Sequence, residues 1–140
     1  MSYNILIVDD SKSMRTVLKK TLEISGFKVG QYIEASNGLE ALNLIEGKWI
    51  DLILSDIHMP VMDGFGFLRS LKERAVSSDI PVIFVTTEAN EERLNELMSL
   101  GASGYIRKPF RPEEISAFLC RIMGENDDHA MGTNSEGSDF

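Results

Sequence analysis

A single cysteine, Cys120, stands in this chain, and one thiol closes neither a disulfide framework nor a thiolate metal site. It lies inside an apolar helical pattern and reads as a small buried hydrophobe. Basic residues are scarce too: 14 Lys and Arg against 22 Asp and Glu leave a net charge of -8. That charge repels a polyanion and supplies no counterion release, which argues against direct nucleic-acid binding. No apolar run approaches the roughly 20 residues that span a bilayer, and no basic segment followed by an apolar stretch opens the chain. The expectation is a cytoplasmic, soluble protein without membrane insertion. With 140 residues and 43% hydrophobic content, it has the material for one domain around one continuous core.

What is present is an alternation. Apolar runs at 5–8, 52–54 and 82–85 are continuous rather than alternating, as strands buried on both faces should be. Residues 105–107 make a shorter run, and 29–35 a weaker one. Between them the period is helical. After Ser11, the residues Met14, Val17, Leu18 and Leu22 share a face up to Gly26, a C-terminal stop signal. Asn37 and Glu40 have capping-box spacing ahead of a stripe of Leu39, Leu42 and Ile45. A third helix follows Asp63-Gly64 with Phe65, Leu68 and Leu71 inward. The fourth, from about Glu91, buries Leu94, Leu97 and Met98 and ends at Gly101. A fifth starts at Pro112, where proline suits a first turn, and carries Ile115, Phe118, Leu119 and Ile122 inward to Gly124.

Five strands alternating with five helices predict a doubly wound α/β domain, a parallel sheet covered on both faces. It occupies residues 1–124. Residues 125–140 change character to Gly, Ser, Asn and acids and read as an acidic, disordered tail.

Each apolar run is followed by polar residues. Asp9 and Asp10 follow the first, Asp56 the third, Thr86 and Thr87 the fourth, and Lys108-Pro109 the fifth. Parallel strands bring their carboxyl ends to one edge, the address at which open α/β sheets bind ligands. Two carboxylates about 4 Å apart repel by about 4 kcal/mol at an effective dielectric near 20, so three need a proton or a cation. Magnesium fits, since it takes a few carboxylate oxygens, keeps waters and bridges to phosphate. Asp9 and Asp10 have a plainer reading as caps of the following helix. Asp56 precedes no helix directly, and an unpaired buried charge there is expensive. A carboxylate beside a metal can attack phosphorus and form an aspartyl phosphate, with Lys108 offsetting charge and Thr86 donating a hydrogen bond.

Four motifs carry a resemblance: Leu6-Ile7-Val8-Asp9-Asp10-Ser11, the run Asp56 to Gly64, Pro81-Val82-Ile83-Phe84-Val85-Thr86, and Lys108-Pro109-Phe110. Over roughly residues 3–123 the chain resembles the receiver domain of two-component response regulators, most closely the single-domain chemotaxis type. The resemblance implies a flavodoxin-like sheet of order 2-1-3-4-5. It implies Asp56 as the phosphoacceptor served by a histidine kinase, and a Mg2+ site of Asp9, Asp10, Asp56 and the His58 backbone carbonyl. Lys108 and Thr86 would stabilise the phosphoryl group, Thr86 and Tyr105 form the switch pair, and the bond between Lys108 and Pro109 is cis. The partner-reading surface is that of the fourth helix, fifth strand and fifth helix. A monomer acting on an effector protein such as a flagellar motor component is expected; a phosphorelay shuttle or regulator of a separate effector is the alternative. No turnover of an external substrate is expected.

Four features depart from the family pattern. His58 and Glu88, two residues beyond Asp56 and Thr86, stand where they can modulate dephosphorylation, by orienting or obstructing a water, or take no part. Arg111 replaces a small capping residue before the fifth helix. The segment Phe27–Ala35 is long, which leaves the register of the second strand open. Two other classes compete: a flavodoxin-like cofactor protein, whose first loop must cradle a phosphate that Asp9 and Asp10 would repel, and a magnesium-dependent phosphohydrolase, which needs a placed general acid or base two residues beyond its nucleophile and a substrate pocket, whereas here the acids are adjacent on a different strand from Asp56. A receiver-like scaffold that is never phosphorylated is disfavoured by the full set of acids, threonine and lysine.

Overall fold

Ile5, Leu6, Ile7 and Val8 have no exposed surface at all, because β1 (Tyr3–Val8) is an interior strand of a sheet covered on both faces. The structure is a computed structural model that describes residues 2–75 and 77–124; the expected acidic tail at 125–140 lies outside the described residues. The chain continues through α1 (Lys12–Ser25), β2 (Val29–Ala35), α2 (Gly38–Ile45), β3 (Leu52–Ser55), α3 (Gly64–Lys72), β4 (Val82–Thr86), α4 (Glu91–Ser99), β5 (Gly104–Arg107) and α5 (Pro112–Met123). All strand pairs are parallel, in the order β2-β1-β3-β4-β5. The doubly wound, flavodoxin-like class and its strand order are therefore as expected.

Alternate residues of the central strands feed two cores. Leu6, Val8, Ile53 and Phe84 pack with α2, α3 and α4 through Leu42, Phe67, Leu68 and Leu97. Ile5, Ile7, Leu54 and Val85 pack with α1 and α5 through Leu18, Leu22, Ile115 and Leu119. Within the helices the phase of the apolar stripe needs correction at three positions. Val17 is 47% exposed, Leu39 46% and Met98 41%; all three were expected inward. In α2 the buried face is instead Gly38, Ala41, Leu42 and Ile45, because Gly38 is wedged against Met62 and Phe67, where an added Cβ would lie 2.9 Å from each. Cys120 is half-buried rather than enclosed.

The helix starts explain themselves chemically. Ser11, Asn37, Asp63 and Asn90 each accept a backbone N–H of the first turn, which satisfies donors with no partner inside the helix. Arg111 has no acceptor to offer, so α5 begins differently: Glu114 reaches back and accepts the Arg111 N–H at 2.7 Å, behind a first-turn Pro112. The long second strand resolves as an irregularity, since Tyr3 faces Val29 whereas Asn4 faces Gln31, so the ladder skips Gly30.

Candidate functional site

Each functional side chain is placed by the last bond of a strand ladder. Asp9 N–H donates to the Ala35 carbonyl (3.0 Å), and Asp56 N–H donates to Val8 (2.9 Å). These bonds bring the ends of β1 and β3 level, so one carboxylate oxygen from each of Asp9, Asp10 and Asp56 lies within 4.8 Å of the others. Asp9 is only 2% exposed, Asp56 is half-buried and Asp10 is open to solvent. Asp9 Oδ1 accepts the Ser11 N–H (2.9 Å) and Asp56 Oδ1 accepts the Ile57 N–H (2.7 Å). From β5, Lys108 Nζ sits 3.4 Å from Asp9 Oδ2 and 3.5 Å from Asp56 Oδ2.

One ammonium against three carboxylates leaves this pocket anionic. Burial pushes the Asp9 carboxyl above its ordinary range, against the pull of the Ser11 N–H and Lys108, so its ionised form is held at a cost. A divalent cation relieves that cost, and clustered carboxylate oxygens are the donors magnesium takes. The side chains present therefore fit Mg2+.

Thr86 ends β4, fully buried. Its Oγ1 accepts the Glu88 N–H at 3.1 Å, and its carbonyl accepts the Lys108 N–H at 2.8 Å, which ties the end of β5 to that of β4. Tyr105 lies opposite Phe84 in the β4–β5 register, two pairs below Thr86 and Arg107, half-buried against the core beneath α4. The peptide bond from Lys108 to Pro109 is cis.

His58 and Glu88 meet each other. His58 Nε2 is 2.9 Å from Glu88 Oε1, with the imidazole 56% exposed. The Asn90 N–H holds the Glu88 carboxyl below its ordinary range, and the His58 contact adds to this. The pair bridges the loops after β3 and β4, two residues beyond Asp56 and Thr86 respectively. Sequence reasoning missed Arg15, whose Nη1 donates to the Asp9 carbonyl at 2.6 Å and whose Nε reaches Glu34 at 2.8 Å. No spacing in the sequence links those three residues.

The response regulator receiver domain model matches residues 5–119, and the chain belongs to that family. It is 37% identical over 123 residues to the phosphate regulon transcriptional regulatory protein PhoB of Klebsiella pneumoniae, covering 88% of this chain and 52% of that one. The chain spans between 46% and 65% of the curated relatives it matches. Among solved structures, the chemotaxis response regulator CheY4 of Vibrio cholerae is 34% identical, with a TM-score of 0.76 over 87% of this chain and 99% of that one. The receiver domain of a sensor histidine kinase from Pseudomonas aeruginosa, 26% identical with a TM-score of 0.77 over 89% of this chain and 100% of that one, holds a magnesium ion in its active-site cleft. The protein is thus a receiver domain of two-component signalling, with an acidic pocket suited to the same ion. Among the described residues no helix is long and apolar enough to cross a membrane.

Proposed function

We propose that Asp56 is the phosphoacceptor, taking a phosphoryl group from the phosphohistidine of a kinase. A carboxylate oxygen of Asp56 attacks phosphorus, the phosphorus–nitrogen bond breaks, and the imidazole leaves with the electron pair and takes up a proton. The observation that carries this reading is Lys108 Nζ poised between Asp56 and Asp9, a cation aimed where phosphoryl charge would develop. With Mg2+ held by Asp9, Asp10, Asp56 and the His58 backbone carbonyl, the chemistry supplied is charge neutralisation of acids and phosphoryl oxygens.

Thr86 and Tyr105 form the switch. The bond to Glu88 uses a lone pair of Thr86 Oγ1, which leaves the O–H as a donor for a phosphoryl oxygen. Only a conformation that brings this donor close gains the bond, so phosphorylation favours it. Tyr105 then fills the space vacated beside β4, and the α4–β5–α5 surface changes for an effector protein. Likeness to CheY4 supports chemotaxis-type signalling in the cytoplasm with a flagellar motor component as partner. A second reading is a phosphorelay shuttle or the regulation of a separate effector, and the transcriptional regulators among the relatives support the latter.

The test is intact-protein mass spectrometry after incubation with acetyl phosphate and magnesium. An increment of about 80 Da, one phosphoryl group, is expected for the native chain and absent from Asp56→Asn; an increment in both would refute the assignment. His58→Ala, which removes the partner of Glu88, should change the decay rate of the phosphorylated form more than its formation rate. Equal decay in variant and native protein would assign His58 no part in it.

A further inference from the structure

The peptide between Asp9 and Asp10 is fixed from outside the pocket. Its carbonyl accepts a 2.6 Å bond from Arg15 Nη1, while the Asp9 N–H is held by the end of β2. The Asp10 side chain makes no hydrogen bond among the described residues and is exposed, so the backbone, through the preceding peptide plane, is what aims its Cα–Cβ bond at the pocket. That plane sets the separation of two of the three acids. A charge-assisted bond from a guanidinium is strong enough to set it.

Arg15 is itself held. Its Nε donates to Glu34 Oε1 at 2.8 Å, and the second Glu34 oxygen takes Lys19 Nζ at 2.7 Å. Glu34 adjoins Ala35, whose carbonyl anchors Asp9, so α1, β2 and the end of β1 are tied through one carboxylate. The Arg15 side chain is only 14% exposed, and a guanidinium so enclosed seeks an acid. Beyond Glu34, Arg15 is close enough to Glu40 to help hold that carboxyl below its ordinary range, and its Asp9 contact puts it next to the acids of the pocket.

We propose that Arg15 is a positioning residue for the magnesium pocket and that Glu34 keeps its guanidinium on the Asp9 backbone and off the acidic side chains. Arg15 thereby orients the Asp9–Asp10 pair without touching the ion, and Glu34 acts only through Arg15. Lys19 shares Glu34 but contacts neither acid, so it brings stability alone. This rests on the reading of Asp9, Asp10 and Asp56 as magnesium ligands.

Magnesium titration followed by backbone amide shifts tests both steps without phosphorylation. Arg15→Met is expected to weaken magnesium binding roughly tenfold, the low end of the effect of partners that orient metal ligands. Glu34→Gln should weaken it as well, and Lys19→Gln should leave it unchanged. The decisive comparison is the double variant: in the Arg15→Met background, Glu34→Gln should add nothing, because neighbours acting through one path are non-additive. Native affinity in Arg15→Met overturns the proposal, as does a further loss in the double variant. Should Arg15→Met not fold, Glu34→Gln decides: weakened binding with Lys19→Gln intact supports the proposal, and unchanged binding overturns it. If the native chain itself binds no magnesium, the reading of the acids as ligands falls first and this proposal with it; if it does bind, the proposal alone is at stake.

Discussion

Val61 holds a backbone that its side chain resists. Its φ is 67°, and the Met62 N–H donates to the Pro60 carbonyl at 2.6 Å, which makes Val61 the centre of a tight three-residue turn. A β-branched residue pays for positive φ through the clash of its Cβ with the following carbonyl. The loop tolerates this because both ends are fixed: the Gly38 N–H binds the Met62 carbonyl at 3.0 Å and the Gly64 N–H binds Ile57 at 2.8 Å. The Val61 side chain is 76% exposed, so its removal gives up little packing. Val61→Gly should raise stability by about 1 kcal/mol after the entropy of an added glycine, read as a higher urea midpoint; a lower midpoint would show that the turn is not strained. At this scale the sequence displayed the acids, Thr86 and Lys108, since each follows an apolar run. It did not display Arg15, Val61 or the His58–Glu88 contact, which depend on loop paths with no periodicity to follow.

Helices and strands were legible in type and largely in extent, because continuous apolar runs and 3.6-residue stripes leave little choice. Their rotational phase was less so. Leu39 and Met98 continue an apolar stripe, yet the close seating of Gly38 and the narrow buried face of α4, Leu94 and Leu97, turn them to solvent. The α5 contact offers a direct test. Gly104 of β5 lies under Phe118, and an added Cβ would overlap the ring. Gly104→Ala should therefore push α5 outward and cost about 1–3 kcal/mol, the range for overpacking a filled core. Circular dichroism melting reads the loss, and an unchanged midpoint would mean that Phe118 swings away freely. Because α5 is part of the surface assigned to the effector, the same variant probes how firmly that surface is set.

For the whole molecule, topology does what no single element can. Separated acids at positions 9, 10 and 56 and a lysine at 108 become neighbours because β1 and β3 pair directly with Val8 opposite Ser55, and β5 is joined to β3 through β4. The five-fold alternation pointed to a parallel sheet, but the strand order came from the family resemblance. Nothing in periodicity alone chooses which strands are adjacent. The net charge of -8 acts in the same direction as the pocket, drawing divalent cations and repelling polyanions. The most direct measurement is to phosphorylate the protein with acetyl phosphate and magnesium, reduce the acyl phosphate with borohydride, and map the product by peptide sequencing. Conversion of Asp56 to homoserine, with Asp9 and Asp10 unchanged and no conversion when magnesium is chelated, is the predicted result. Reduction at Asp9 or Asp10, or at Asp56 without magnesium, would contradict it.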